Sequence, residues 1–155
     1  GENAWSKLNS GAFADYDNSP AYAETYVKLY NWYAVNSGNL CPVGWHVPSE
    51  TEWNILIDFL EGDSLAGNKL KESGTMHWRA PNEGASNVSG FTALPGGYRS
   101  YIGTFNNIKN YAYWWTSDEF NSSNSLYVWI VYSSGAIQKE DLKKTNGLSV
   151  RCIKD

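Results

Sequence analysis

The stretch Cys41-Pro42-Val43-Gly44-Trp45-His46-Val47-Pro48-Ser49-Glu50-Thr51-Glu52-Trp53 decides how the rest of the chain is read. It joins a candidate half-cystine, a sharp turn and a helix start. Ser49 and Glu52 have the S-x-x-E spacing of a capping box: the hydroxyl accepts from the Glu52 amide and the carboxylate accepts from the Ser49 amide. Trp53, Leu56, Ile57 and Leu60 then recur at helical spacing as one apolar stripe, and Gly62 follows as a stop. The spacing predicts a helix from about Ser49 to about Glu61. Ser64 can cap a second, shorter helix through about Glu72, with Gly74 as its stop.

Outward from this core the periodicity changes. Ala4 to Ala23 is rich in Asn, Ser, Asp and Ala and reads as irregular. Thr25 to Val35 is aromatic and β-branched, with a period that fits strand or helix equally. Ser73 to Asn110 carries many Gly, Asn, Ser and Pro residues and no sustained period, so it reads as a long loop region pinned by Trp78, Phe91 and Tyr98. The last third is strand-like: Tyr111 to Ser117, Leu126 to Tyr132, Ala136 to Glu140 and Leu148 to Ile153 are β-rich runs divided by Asn, Ser and Gly. Ser133-Ser134-Gly135 suits a hairpin connection. The expected fold class is α+β, two helices packed on a twisted, mostly antiparallel sheet with long ordered loops.

Composition bounds the function. At 155 residues the length suits one domain. The net charge is −4, only 18% of residues are charged, and there is no basic run, so the phosphate-neutralising surface of a nucleic-acid binder is missing. No stretch approaches the roughly 20 apolar residues of a membrane span. Aromatic residues make up 15% of the chain, with eight Trp and eleven Tyr. Such side chains give large contact area for few rotatable bonds, which suits dense cores and binding surfaces alike. Low charge with many Asn, Ser and Gly fits a loop-rich extracellular domain better than a cytosolic enzyme.

Cys41 and Cys152 are the two cysteines. A reactive or metal-binding pair would need His or Cys neighbours to complete a ligand set, and none stands near. One structural disulfide in an oxidising compartment is the preferred reading. Closing so long a loop stabilises by roughly 4–5 kcal/mol in the chain-entropy model.

Several blocks carry a resemblance. They are the Cys41–Trp53 stretch, Leu29-Tyr30-Asn31-Trp32-Tyr33-Ala34-Val35, Ala66-Gly67-Asn68-Lys69-Leu70-Lys71-Glu72, Ser89-Gly90-Phe91-Thr92-Ala93-Leu94-Pro95-Gly96-Gly97-Tyr98-Arg99, Tyr113-Trp114-Trp115 and Gly147-Leu148-Ser149-Val150-Arg151-Cys152. Taken in chain order, over most of the chain, they resemble the Fibrobacter succinogenes major paralogous domain family of bacterial surface proteins. The resemblance implies a C-type-lectin-like fold in the version shared with formylglycine-generating enzymes. Family members carry a further segment upstream, so a longer natural protein is expected, with a secretion signal or lipid anchor ahead of Gly1-Glu2-Asn3.

Chemistry-bearing residues are sparse. His46 precedes the capped helix and reads as a structural hydrogen-bonder; His77, beside Trp78, is a loop residue with no evident partner. Two histidines without cysteines or carboxylates at ligand spacing do not make a metal site. Glu50 and Glu52 fall in the first helical turn, where they offset the helix dipole. Asp15, Asp17 and Asn18 could offer oxygens to Ca²⁺, but no glycine-containing loop frames them. Formylglycine-generating enzymes use an active-site cysteine pair, and the related sulfoxide synthases a histidine-rich iron site; this chain matches neither. Sugar-binding C-type lectins use Glu-Pro-Asn or Gln-Pro-Asp with Trp-Asn-Asp, whereas this chain has Ala80-Pro81-Asn82-Glu83. Gly96-Gly97 lacks the strand–loop–helix frame of a phosphate loop. No catalytic residue, metal site or cofactor is expected.

The run Leu126 to Tyr132 is apolar on both faces, Leu126, Val128, Ile130 and Tyr132 on one, Tyr127, Trp129 and Val131 on the other. Either both faces are buried or one is an exposed patch. In the family it resembles, the positions of Trp129, Val131, Ser133, Ser134, Ala136, Gln138, Glu140 and Asp141 are often polar, which implies that Trp129 and Val131 face outward. Some members, like a phage tropism determinant of the same fold class, look like targets of diversity-generating retroelements, which rewrite Asn codons near the C-terminus. Tyr113 to Asn146 has that location. The expectation is a secreted or surface-attached, non-catalytic module that binds a protein or glycan ligand. Tyr127 and Trp129 would anchor it, flanked by Phe120, Val131, Ser133, Gln138, Glu140 and Asp141. The competing readings are a formylglycine-generating-type or hydrolytic enzyme, with a pocket at Arg99 and His77, and a passive adhesin tip.

Overall fold

The computed structural model describes residues 2–155 and is α+β. Helix α1 (Glu2–Trp5) leads into strand β1 (Phe13–Ala14), a 3-10 turn at Tyr16–Asn18 and helix α2 (Pro20–Tyr26). Strand β2 (Leu29–Tyr30), helix α3 (Trp32–Asn36) and strand β3 (Trp45–His46) precede the paired helices α4 (Glu50–Phe59) and α5 (Asp63–Leu70). Strands β4 (Tyr98–Arg99), β5 (Phe105–Asn106), β6 (Tyr111–Glu119), β7 (Asn124–Val131), β8 (Ile137–Lys143) and β9 (Ile153–Lys154) complete the chain. The main sheet has the order β6-β7-β8, and β1-β2, β3-β9 and β4-β5 form separate antiparallel pairs. Helices are thus more numerous than the expected two, because Ala4 to Val35 folds into short elements where the sequence has no sustained period.

The capping box forms as read. Ser49 Oγ accepts from the Glu52 amide at 3.2 Å and Glu52 Oε2 accepts from the Ser49 amide at 2.8 Å. Helix α4 buries Trp53 and Ile57, and Leu60 closes it as a buried C-cap. The second helix starts earlier than Ser64 predicts. Gly62, at φ +92°, turns the chain so sharply that its own carbonyl accepts from Leu65 and Ala66, leaving Ser64 inside the first turn. Helix α5 also ends short of Gly74, since Lys71 turns extended to bridge Ala93. Between β2 and α3, Asn31 is fully buried. Its Oδ1 accepts from Ala12 and Ala34, and its Nδ2 donates to the Ser10 carbonyl.

Two cores lie on opposite faces of the main sheet. Ala112, Trp114, Val128, Ile130 and Ile137 pack on Trp53, Ile57 and Leu60 of α4 and its cap and on Ala66 and Leu70 of α5. Trp115 and Tyr127 pack on Trp32 and Val35 of α3, with Val47 and Leu148. Trp78 is buried in the helix-side core and Phe91 packs against it, as expected of the loop region; Tyr98 is half-buried beside the second core. The run Leu148 to Ile153 is not one strand. Leu148 and Ser149 make single bridges to Tyr30 and Trp114, and only Ile153–Lys154 forms a ladder, with Trp45–His46. The disulfide Cys41–Cys152 ties this closing segment to the turn ahead of β3.

Candidate functional site

Strand β7 sets the site. Its register places Trp129 opposite Tyr113 on β6 and opposite Gln138 on β8; Tyr127 lies opposite Trp115 and Glu140, and Val131 opposite Tyr111. Because side chains alternate, Tyr111, Tyr113, Trp115, Tyr127, Trp129, Val131, Gln138 and Glu140 share one face. That face is graded. Trp115 and Tyr127 are covered by the α3-side core, Tyr111, Tyr113 and Trp129 are half-buried, and Gln138 and Glu140 are exposed. The expectation that Val131 faces outward is corrected: it is only 9% exposed. Trp129 is half-buried rather than fully outward.

The aromatic rings of this face are mutually fixed. Tyr111 and Tyr113 stack with centroids 5.5 Å apart and planes 11° apart, Trp129 tilts against Tyr111 at 5.6 Å, and Tyr98 meets Tyr113 edge-on at 5.3 Å. A cleft of about 230 Å³ opens among Tyr98, Tyr101, Tyr113, Tyr127, Ser100, Asn107 and Asn146. Asn107 Nδ2 donates to the Tyr113 hydroxyl at 2.8 Å, and the Tyr127 hydroxyl donates to Glu140 at 3.0 Å. Burial raises the pKa of both phenols, and for Tyr127 the bond to Glu140 raises it further. Both are therefore neutral hydrogen-bonding groups near neutral pH. Trp129 Nε1 is buried without a partner, a donor whose lost hydration costs roughly 1–3 kcal/mol.

The remaining expected site residues lie elsewhere. Asp141 pairs opposite Leu126 on the other face, where a hollow is lined by Phe120, Leu126, Lys139 and Glu50. Asp141 accepts from Asn124 Nδ2 at 2.7 Å, and Phe120 is 58% exposed. Ser133 is exposed in the turn after β7. The register thus gathers Tyr127, Trp129, Val131, Gln138 and Glu140 on one face; Phe120 and Asp141 meet Tyr127 and Glu140 only around that second hollow, and Ser133 lies apart. Tyr111, Tyr113, Tyr98 and Asn107 were missed. The alternation Tyr111-Ala112-Tyr113 held a signal for the first two; Tyr98 and Asn107 arrive from the loop region through tertiary contact alone.

The groups named for other chemistry are occupied. His46 bridges Glu52 at 2.8 Å and Asp155 at 2.6 Å, the hydrogen-bonding role read from its position. The bond to Asp155, then that to Glu52, raises its pKa above the ordinary value. His77 does have a partner, Glu72 at 2.9 Å. Arg99 is buried, stacks between Trp5 and Phe105 at 4.2 and 4.9 Å, and donates from Nε to Gly103. Asp15 pairs with Lys28 at 2.9 Å, and Asp17 and Asn18 sit at positive φ. Among the described residues no cysteine is free, and no cluster of three or more His, Cys, Asp or Glu could hold a metal ion. Nor is any helix among them long and apolar enough to cross a membrane.

These features define a disulfide-tied α+β domain whose central sheet presents a graded aromatic face. The family model for the Fibrobacter succinogenes major domain matches residues 2–154, and the chain belongs to that family. No curated protein and no solved structure gives a significant match.

Proposed function

We propose that this chain is a non-catalytic ligand-binding or adhesion module of C-type-lectin-like fold, acting on the bacterial surface or after secretion. The observation that carries the reading is the half-exposed face of Tyr111, Tyr113 and Trp129, bordered by exposed Gln138 and Glu140. Its rings are held on a sheet packed on both sides, so their order costs a ligand little. Neutral phenols, an amide and a carboxylate beside flat rings suit a ligand with both apolar and hydroxyl faces, which favours a glycan over a purely apolar protein patch. The disulfide supports an oxidising location.

Diversification of the C-terminal strands fits exposed Gln138, Glu140 and Ser133 and half-buried Trp129, and does not fit Val131, whose burial restricts exchange. Sequencing the 3′ end of the gene across strains tests this: changes clustered at those four codons, beside an adenine-bearing near-repeat, are the expected result.

Trp129→Ala tests the binding reading. On glycan and protein arrays it should weaken binding at least tenfold, while half-burial limits the loss of stability to about 1–3 kcal/mol. Retention of every wild-type interaction by a folded Trp129→Ala protein would refute this surface as the site. Binding of no glycan or protein by the wild type would leave a passive adhesin tip.

A further inference from the structure

A second cleft, of about 270 Å³, lies between α4 and the β3–β9 pair. It shares no lining residue with the tyrosine cleft. Trp53, Leu56 and Phe91 make one apolar side and Trp45, 44% exposed, overhangs from β3. Two features distinguish it from an ordinary surface fold.

The first is charge. Arg151 lies against Phe91, its guanidinium 4.3 Å from the ring centroid, and donates one bond to the Phe91 carbonyl at 2.9 Å. A guanidinium has five N–H donors, so four remain for a ligand. Neither Arg151 nor Lys154, which also lines the cleft, makes an ion pair among the described residues. The acid at the cleft is Glu52, and both its oxygens are committed, one to His46 at 2.8 Å and the other to the Ser49 amide and hydroxyl at 2.8 and 3.0 Å. The lining therefore sets two cations against one carboxylate already held by other donors, and the cleft is net positive. The second feature is an orphan donor. Trp53 is 2% exposed, forms part of the wall, and its buried Nε1 has no partner.

We propose that this cleft binds a small aromatic carboxylate, its ring against Trp53, Leu56 and Phe91 and its carboxylate accepting from Arg151. An arginine already oriented by a stacked ring loses little freedom on meeting a planar carboxylate, which can accept from two of its N–H groups. Lys154 adds attraction at longer range, and the volume limits the ligand to one compact ring system.

The test uses 2-naphthoate and its uncharged amide, followed by saturation-transfer NMR and calorimetry on the full chain. The wild type should bind naphthoate, and should bind the amide at least tenfold more weakly, a comparison that needs no variant. Arg151→Gln, at an exposed position, should weaken naphthoate binding about tenfold, and Met76→Gln, exposed and outside both clefts, should leave it unchanged. No saturation transfer from naphthoate, equal affinity for the amide, or an undiminished Arg151→Gln protein would each overturn the proposal. The outcome is independent of whether the tyrosine face binds anything.

Discussion

Replacing Lys71 with Met should destabilise the protein by an amount that grows with pH. Lys71 is fully buried, and its ammonium donates to the carbonyls of Glu83 and Ser134 at 2.8 Å and of Val131 at 3.2 Å. It thereby joins the loop after Trp78 to the end of β7 and the turn before β8. Burial pushes its pKa down to about 8, with Glu83 opposing the shift. Methionine keeps the apolar stem and strands the Glu83 and Ser134 carbonyls, each losing a bond to a charged donor worth about 1.5–3 kcal/mol, while Val131 keeps the Ser134 amide at 3.4 Å. It also removes a charge whose burial costs about 3 kcal/mol relative to the neutral amine, as the shift from 10.5 implies. At pH 7 the two effects leave a net loss of about 1–2 kcal/mol.

The pH dependence carries the sharper test. The folded state releases the Lys71 proton near pH 8 and the unfolded chain near 10.5. Between those values the unfolded state binds more protons, so the wild type gains stability relative to Lys71→Met as pH rises. At a pH of about 9.5 the gain is about 2 kcal/mol, taking the gap to about 3–4 kcal/mol. Urea denaturation of both proteins at pH about 7 and about 9.5 measures it, and groups common to both cancel in the difference. A gap that stays constant or narrows refutes the reasoning, as does a variant more stable than wild type at both values.

Two further substitutions probe other joints. Gly67→Ala would put a methyl 2.7 Å from the carbonyl oxygens of both Gly135 and Ala136, where α5 meets the turn between β7 and β8; a loss of about 1–3 kcal/mol in denaturant unfolding is expected. His46 should titrate above its ordinary value in NMR, because the bonds to Asp155 and Glu52 favour its charged form. Its contribution is then complete below the ordinary histidine pKa of about 6.5 and fades as pH rises through the raised one, so His46→Gln should cost more stability in acid than at mildly alkaline pH.

Legibility followed the range of the interactions. Helix α4 was readable because its cap, stripe and stop lie within one stretch, and the Ser49–Glu52 reciprocity needs no distant partner. Ser64 misled because Gly62 changes the chain direction first, and a side-chain cap is dispensable when a glycine carbonyl already serves the first amides. Thr25 to Val35 was ambiguous because it contains the end of α2, all of β2 and most of α3. No period extends across three elements. Asn31, which starts α3 and holds the Ser10–Ala12 segment, looks in sequence like any loop asparagine. At the site, alternation identified the face of Tyr127, Trp129 and Val131. Its depth of burial depended on α3 and Leu148, which are distant in the chain.

That same double burial explains why one sheet supports two accessible surfaces, the two proposed above for binding. The helix-side core fixes α4, and α4 with the disulfide-tied β3–β9 pair forms the positively charged cleft. Tyr113 and Trp129 pack against the margin of the α3-side core and Tyr111 lies just beyond it, so these rings are anchored on one side and half-open on the other. Each surface borrows its rigidity from a core on its own side of the sheet, and the closing segment Leu148–Lys154 touches both, through Leu148 on one side and Arg151, Ile153 and Lys154 on the other. A ligand in the proposed cleft would touch the same segment whose Leu148 packs with Trp115 and Tyr127. Trp53 and Phe91 of that cleft also meet Trp114, whose strand carries Tyr113 and Trp115, so the closing segment is one of two routes that join the surfaces.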